Sequence, residues 1–581
     1  MKERVEKKIL AAVKKLFSID PPDFKTEKPR EEEHGDLATN VAFLLSRELK
    51  RSPNEVASLL AEELSKDSDF EKVEAVRGFV NIKLSKELLV QEFTRLLELG
   101  EEYYRENIGN GLKVQIEFVS ANPTGPLHLG HGRGAVVGDT LARIFEFFGY
   151  EITREYYIND AGRQVYMLGV SVLFRYLQLF GKEKERPEIE KLFEEEGYKG
   201  EYVIELAKLL KESVGDSILE GNLEKAKESI LSYGYGFELS YTRRFNPEKG
   251  SEVELCSLFG LDAMIDEIRR DLSDMGIGFD VWFSERSLYE EGLVEKLIEE
   301  LSRRGFVYES EGALWLKTSE FGDDKDRVLR KSDGSYTYFA SDIAYHWIKF
   351  KRGFDKVIDL WGSDHHGYIP RVKASLKMLD VPEDWLEVYL IQMVKLFKSG
   401  REVRMSKRSG EFVTLRELIN DVGSDAVRFV FLTKRSDTPL DFDVDRVKEK
   451  SSDNPVFYVQ YAHARISGVF REFRERFGKD PDVENLSEYV KELKEDAEIK
   501  LMKKALMMKD ELIDVAQKRD PHLITYALID LAGTFHNYYN HHRIIGSDRE
   551  TMLGRIALLK GIRSTLRIGL KLIGVGAPEK M

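Results

Sequence analysis

The chain has 581 residues, 42% hydrophobic, 33% charged and 11% aromatic, an ordinary globular composition that excludes collagen-like, low-complexity and wholly disordered polymers. Its 89 basic and 103 acidic side chains leave a net charge of −14, so no overall field holds it to nucleic acid, although a local basic surface still can. No stretch approaches the roughly 18 uninterrupted apolar residues of a membrane helix, and one cysteine, Cys256, excludes an intramolecular disulfide and cysteine-rich zinc or iron–sulfur sites.

By length the chain holds about four domains of roughly 150 residues, and a cytoplasmic protein with no membrane partner is expected. Residues 1–110 read as a small α/β domain. Amphipathic helical patterns over Lys2–Phe17 and Val41–Ser65 flank HGDLATN, and a strand-like run, VEAVRGFVNIKL, follows at 73–84. Glu92–Leu99 continues as helix, and the turn-rich Asn107–Gly111 marks a boundary. Lys113–Phe118 then predicts a strand. A helix follows from about His131 to Phe148, with Gly149 at its C-terminal cap and Ile152–Tyr157 as a second strand. Strand, helix, strand in this order predicts a parallel sheet. Residues 165–250 are helical and acidic and read as an insertion in a catalytic domain of 111–415. Strands return at Val357–Leu360 and Val388–Met393. Residues 416–450 connect to a helical domain at 451–581. The expected fold is therefore α/β, a doubly wound, Rossmann-type catalytic domain between a small α/β domain and an all-helical one.

The richest segment is EFVSANPTGPLHLGHGRGAVVGD at 117–139, between the first strand and its helix, where an open parallel sheet binds ligands. Its glycines allow close backbone approach, and the N–H groups opening the helix offer an anion site. His128 and His131 stand three apart and can present both rings to one ligand. A glycine-rich turn with core histidines, a dinucleotide loop and a mononucleotide phosphate site all remain open on this segment alone. The long Asn122–Pro126 stretch spoils the tight turn of a dinucleotide fingerprint. A second segment, REVRMSKRSGEFVTL at 401–415, sets Arg404, Lys407 and Arg408 around Ser406, Ser409 and Gly410. Alone it reads as a solvated basic turn. Paired with the histidine loop it suits displacement at an α-phosphate, where the charge of departing pyrophosphate needs cations.

His128-Leu129-Gly130-His131 resembles the HIGH signature of class I aminoacyl-tRNA synthetases, and Arg404-Met405-Ser406-Lys407-Arg408 resembles their KMSKS loop. Within that class the whole chain is similar to the arginyl-tRNA synthetase family. ANPTGPLHLGH, YINDAGRQ, YFASDIAY, WGSDHHGY and YVQYAHARI carry the likeness, with HGDLATN and GFVN in the first domain. The resemblance implies arginine activation by ATP, transfer to tRNA(Arg), and activation that depends on tRNA. Mg²⁺ is expected with ATP, no protein-bound zinc, and a monomer.

It also implies site residues. His128, His131 and Lys407 are the catalytic group. ATP is met by Pro123, Thr124, Gly125, Pro126, Leu127, Leu129 and Gly130, by Asp364 and His365, and by Arg404, Met405 and Ser406. Arginine is met by Glu117, Ser120, Asn122, Tyr338 and Asp342, with Glu117, Tyr338 and Asp342 facing the guanidinium. Phe79, Asn81, Tyr458, Tyr461, His463 and Arg465 face tRNA. Arg404 departs from the usual first lysine of the loop: the charge is kept, but a planar fork replaces a point charge. Tyr338 and Asp342 are four apart, on one helix face if the helix already begins at Tyr338; Asp342 as a plain helix-start residue is the competing reading.

Overall fold

Apolar residues recur at the spacings that helices and strands require, and the computed structural model turns them into two compact units. It describes residues 1–581 apart from Pro22, Arg30, 404–412 and 479–484. One unit comprises Asn107–Val456 with Ile573–Val575, and the other Met1–Glu106 with Phe457–Leu572 and Gly576–Met581.

The first unit is built on a five-stranded parallel sheet. Its strands are β1 (Lys113–Glu117), β2 (Glu151–Ile158), β3 (Val281–Ser284), β4 (Lys356–Gly362) and β5 (Leu386–Ile391), in the spatial order β5-β4-β1-β2-β3. The order reverses between β1 and β4, so the crevice beyond their carboxyl ends is where ligands collect in such sheets. Helix α1 (Leu129–Phe147) connects β1 to β2. Gly138 lets it lie on the sheet, since a Cβ there would stand 2.3 Å from the Phe118 ring.

The insertion is helical, as expected. It opens with α2 (Arg163–Gln178), which packs on α3 (Glu252–Asp274). Gly169 makes this packing close, because a Cβ there would lie 2.0 Å from Ser257 Oγ. Helix α4 (Tyr338–Lys351) covers the sheet. A three-stranded antiparallel sheet over Val307–Ser310, Ala313–Leu316 and Arg327–Arg330 was not foreseen; its strands are only four residues each and alternate weakly. Further on, α5 (Ser424–Phe431) buries Arg428, which donates to Asp139 Oδ2 of α1 and to the carbonyls of Met275 and Ile573.

In the second unit the expected helix over Val41–Ser65 is two helices, Val41–Leu49 and Pro53–Leu64. Lys50 turns left-handed at φ 50°, and Pro53 opens the second helix behind a Ser52–Glu55 capping box. The run at 73–84 is a hairpin, Phe70–Val76 with Phe79–Leu84, turning at Arg77 and Gly78, both at positive φ. Four long helices follow, Pro455–Phe477, Asp496–Lys518, His522–His541 and Arg549–Leu572. The amino-terminal elements and these helices share one unit. Lys503 pairs with Asp36 at 2.8 Å, the amino terminus with Asp510 at 3.2 Å, and the Tyr104 hydroxyl shares a 2.6 Å hydrogen bond with Thr565.

Candidate active site

A cavity of about 990 Å³ opens at the carboxyl ends of β1 and β4. Its first wall is the loop from β1 into α1. His128 caps α1: its Nδ1 accepts from the N–H groups of Gly130 and His131 at 3.1 and 3.4 Å. His131 Nδ1 accepts from the His128 N–H at 3.4 Å. The rings stack 3.6 Å apart at 17°. An accepting Nδ1 in a neutral ring puts the proton on Nε2, so both rings are Nε2–H donors beside a helix N-terminus, chemistry suited to an anion.

Thr124, Gly125, Pro126, Gly130, Asp364 and His365 also line the cavity. Pro123, Leu127 and Leu129 do not: Leu127 and Leu129 are 0% exposed and pack in the core, so they fix the loop and meet no ligand through their side chains. Arg404, Met405, Ser406 and Lys407 lie outside the described residues. The chain just after them is tied to the histidine loop, where the Leu415 N–H donates to the Leu127 carbonyl at 2.7 Å. Sequence reading missed several supports of this wall. Tyr202 of the insertion donates to the Thr124 carbonyl at 2.7 Å, and Asn122 donates to Gln164 at 2.6 Å. The guanidinium of Arg133, buried, donates to the carbonyls of Gln392, Thr438 and Arg435, and burial lowers its pKa to about 10. None of these partners is close in sequence.

The opposite wall is one face of α4. Thr337 caps this helix, accepting from the Ala340 N–H. That places Tyr338 and Asp342 one turn apart on the cavity wall and removes the helix-start role for Asp342. The Tyr368 hydroxyl donates to Asp342 Oδ2 at 2.5 Å. Burial raises the Asp342 carboxyl above its usual range, against the pull of that hydrogen bond. Glu285, also missed in the sequence, stands beside Ser341. Burial, then the charges of Asp342 and Asp160, push it up to about 7. Its Oε2 is buried with no hydrogen-bond partner among the described residues. Asp342 gives this wall a carboxylate suited to a cation that brings its own donors, while Glu285 is buried beside it and does not line the cavity.

Glu117 departs from the expected arrangement. It lines the cavity, but its Oε2 accepts from the buried Lys349 ammonium at 2.5 Å and its Oε1 from the Ser120 hydroxyl at 2.8 Å. Asp359, Glu117 and Glu155 lie in register across β4, β1 and β2, a row of three carboxylates under α4. Lys349 bridges the first two, Arg352 and Tyr345 bind Glu155, and His346 binds Asp359 at 2.8 Å. Burial acts against the Lys349 ammonium, yet the three carboxylates outweigh it and hold its pKa above the ordinary value.

The residues expected to face tRNA divide. Phe79 is 44% exposed, edge-on to Phe43, and Tyr461 is 37% exposed, with Arg465 stacked over it and over Tyr539. Tyr458 lines a separate cavity of about 700 Å³ with Tyr538, His541 and His542. Asn81 and His463 are buried instead. Asn81 sits inside the hairpin sheet, and His463 Nδ1 is 2.9 Å from the Pro578 carbonyl, so both hold structure together.

These features define a class I aminoacyl-tRNA synthetase. Residues 92–205 and 250–473 match the family model "tRNA synthetases class I (R), catalytic domain". Residues 3–84 match "Arginyl tRNA synthetase N terminal domain", and 459–581 match "DALR anticodon binding domain". The chain is 63% identical over 586 residues to an arginine–tRNA ligase of Aquifex aeolicus, covering 100% of both. It is 43% identical to that of Caldanaerobacter subterraneus, covering 96% of this chain and 94% of the relative. In fold it is similar to the arginyl-tRNA synthetase of Thermus thermophilus, with a TM-score of 0.71 at 21% identity and 100% of each chain covered. The chain belongs to the arginyl-tRNA synthetase family.

Proposed function

We propose that the protein is an arginine–tRNA ligase. It condenses L-arginine with ATP to arginyl-adenylate and diphosphate, then passes arginine to the 3′-terminal adenosine of tRNA(Arg). The observation that carries this reading is the polarity of one cavity: a histidine-capped helix N-terminus at one wall, and Tyr338 and Asp342 at the other. The first suits ATP phosphates; the second suits a guanidinium.

In this reading His128 and His131 donate to the phosphates, and Lys407 stabilises the departing diphosphate as its charge develops. Asp342 accepts guanidinium N–H bonds, with Glu285 supplying further negative charge, while Ser120 and Asn122 serve the α-ammonium and α-carboxylate. Mg²⁺ arrives with ATP. Phe79 and Tyr461 offer exposed aromatic groups on which unpaired bases stack, with the half-buried Arg465 over Tyr461 adding a cation. The protein acts as a monomer in the cytoplasm. Incubation with labelled arginine, ATP and unfractionated tRNA tests the reading: label is expected in tRNA with arginine, and the same with lysine in its place would refute the specificity.

A pH dependence follows from Glu285. Glu285 does not line the cavity, but the Asp342 charge helps push its carboxyl up to about 7, so a guanidinium that neutralises Asp342 favours the ionised Glu285. Binding at neutral pH therefore expels protons, and KM for arginine is expected to rise as pH falls from about 8 to about 6. Calorimetry in two buffers of different ionisation enthalpy reads the proton release. Proton uptake would contradict the assignment.

A further inference from the structure

The chain leaving β1 does something costly. Val119 is β-branched, yet it sits at φ 70°, and Ser120 follows at φ 38°. The Ser120 N–H donates to the Phe118 carbonyl at 3.0 Å, closing a γ-turn around Val119. Turns of this hand are rare and strained, and they persist only where their surroundings over-determine them. Here the surroundings are visible. The Ser120 hydroxyl donates to Glu117 Oε1 at 2.8 Å and accepts from the Tyr157 N–H at 3.1 Å. The Ala121 carbonyl accepts from the Tyr156 hydroxyl at 2.9 Å. Glu117 itself is held by Lys349, and Lys349 by Asp359, whose other oxygen meets His346.

The strained turn has a consequence for the cavity. It reverses the chain at the end of β1, so that Val119, Ser120, Ala121 and Asn122 all line the wall. Without it the strand would run on past the site.

We propose that Glu117 and Lys349 are positioning residues: together they clamp the Val119–Ser120 turn, and through it the groups that meet arginine's α-ammonium and α-carboxylate, without touching the guanidinium. This rests on the arginine-binding reading above. Both Glu117 oxygens already accept a hydrogen bond from the protein, one from a full positive charge. Its charge is matched before any substrate enters, unlike that of Glu285. Specificity for the guanidinium then belongs to Tyr338 and Asp342 of α4, and affinity for the amino-acid end to the clamp.

The two ends of arginine can be probed separately. n-Butylguanidine keeps the guanidinium and lacks both α-groups. In the unaltered protein it competes with arginine; that control tests the function proposed above, whereas the clamp is tested by the variants. In Glu117→Gln the charge-assisted hold on the turn is lost. KM for arginine is expected to rise roughly ten- to a hundred-fold, while the inhibition constant of n-butylguanidine stays where it was. Glu117→Asp, which keeps the charge but draws the carboxylate back from the Ser120 hydroxyl, should reproduce the split in kind. Asp342→Asn should weaken both ligands together. Parallel weakening of both ligands by Glu117→Gln would make Glu117 a guanidinium ligand and overturn the proposal, and so would an unchanged KM in both clamp variants.

Discussion

Lys349→Met is expected to destabilise the catalytic unit by about 3–5 kcal/mol, the range for removing one partner of a buried ion pair. Methionine fills nearly the same space, so packing is not the cause. The cause is the row beneath α4: with the ammonium gone, Glu117 loses its only cation among the described residues, and Asp359, itself 0% exposed, keeps only His346. Burial disfavours the ionised Asp359, yet Lys349 and His346 hold it below the usual carboxylate range. The sign of the linkage bounds the conditions. Stability from a lowered carboxylate is present above its unfolded pKa and lost as pH falls through the folded one. Stability from a raised ammonium is present below its unfolded pKa and lost only as pH rises through the folded value. The cluster therefore contributes fully between about pH 4 and about pH 10, and equilibrium denaturation at pH 7 measures it. A loss below about 1 kcal/mol would show that the carboxylates find solvent or protons cheaply.

Asp342→Asn should act on substrate and spare the fold. A guanidinium is a planar fork that a carboxylate meets with two hydrogen bonds; an amide meets it with one acceptor and no charge. Arginine binding is expected to weaken by about 2–5 kcal/mol, roughly 30- to 5,000-fold, the range for breaking a desolvated charge pair. The thermal midpoint should hold or rise, because burial works against the ionised Asp342 in the empty site and the asparagine oxygen can still accept from Tyr368. Near-normal arginine binding with a large fall in midpoint would make Asp342 structural.

Much of the site was legible because its parts are local. A strand, a glycine-rich loop and a helix bring His128 and His131 together within three residues. Four-residue spacing sets Tyr338 beside Asp342, once the cap falls at Thr337. The break at Lys50–Pro53 escaped because amphipathic spacing runs through it, although the proline marked it. What the sequence withheld is long-range pairing. Lys349 meets Glu117 across 232 residues and Tyr202 meets Thr124 across 78, so no spacing rule links them. Nothing in the sequence marks Glu285 among the chain's many acids; only the fold buries it, with no hydrogen-bond partner for its Oε2 among the described residues. The resemblance sets His463 among the tRNA contacts, yet its helix turns it inward to the Pro578 carbonyl.

The central claim is that this cavity activates arginine and no other amino acid. ATP–diphosphate exchange, run with each standard amino acid in turn and with and without unfractionated tRNA, measures it directly. Exchange is expected with arginine only, and chiefly when tRNA is present. Exchange driven by a different amino acid, or none with arginine and tRNA together, would contradict the account.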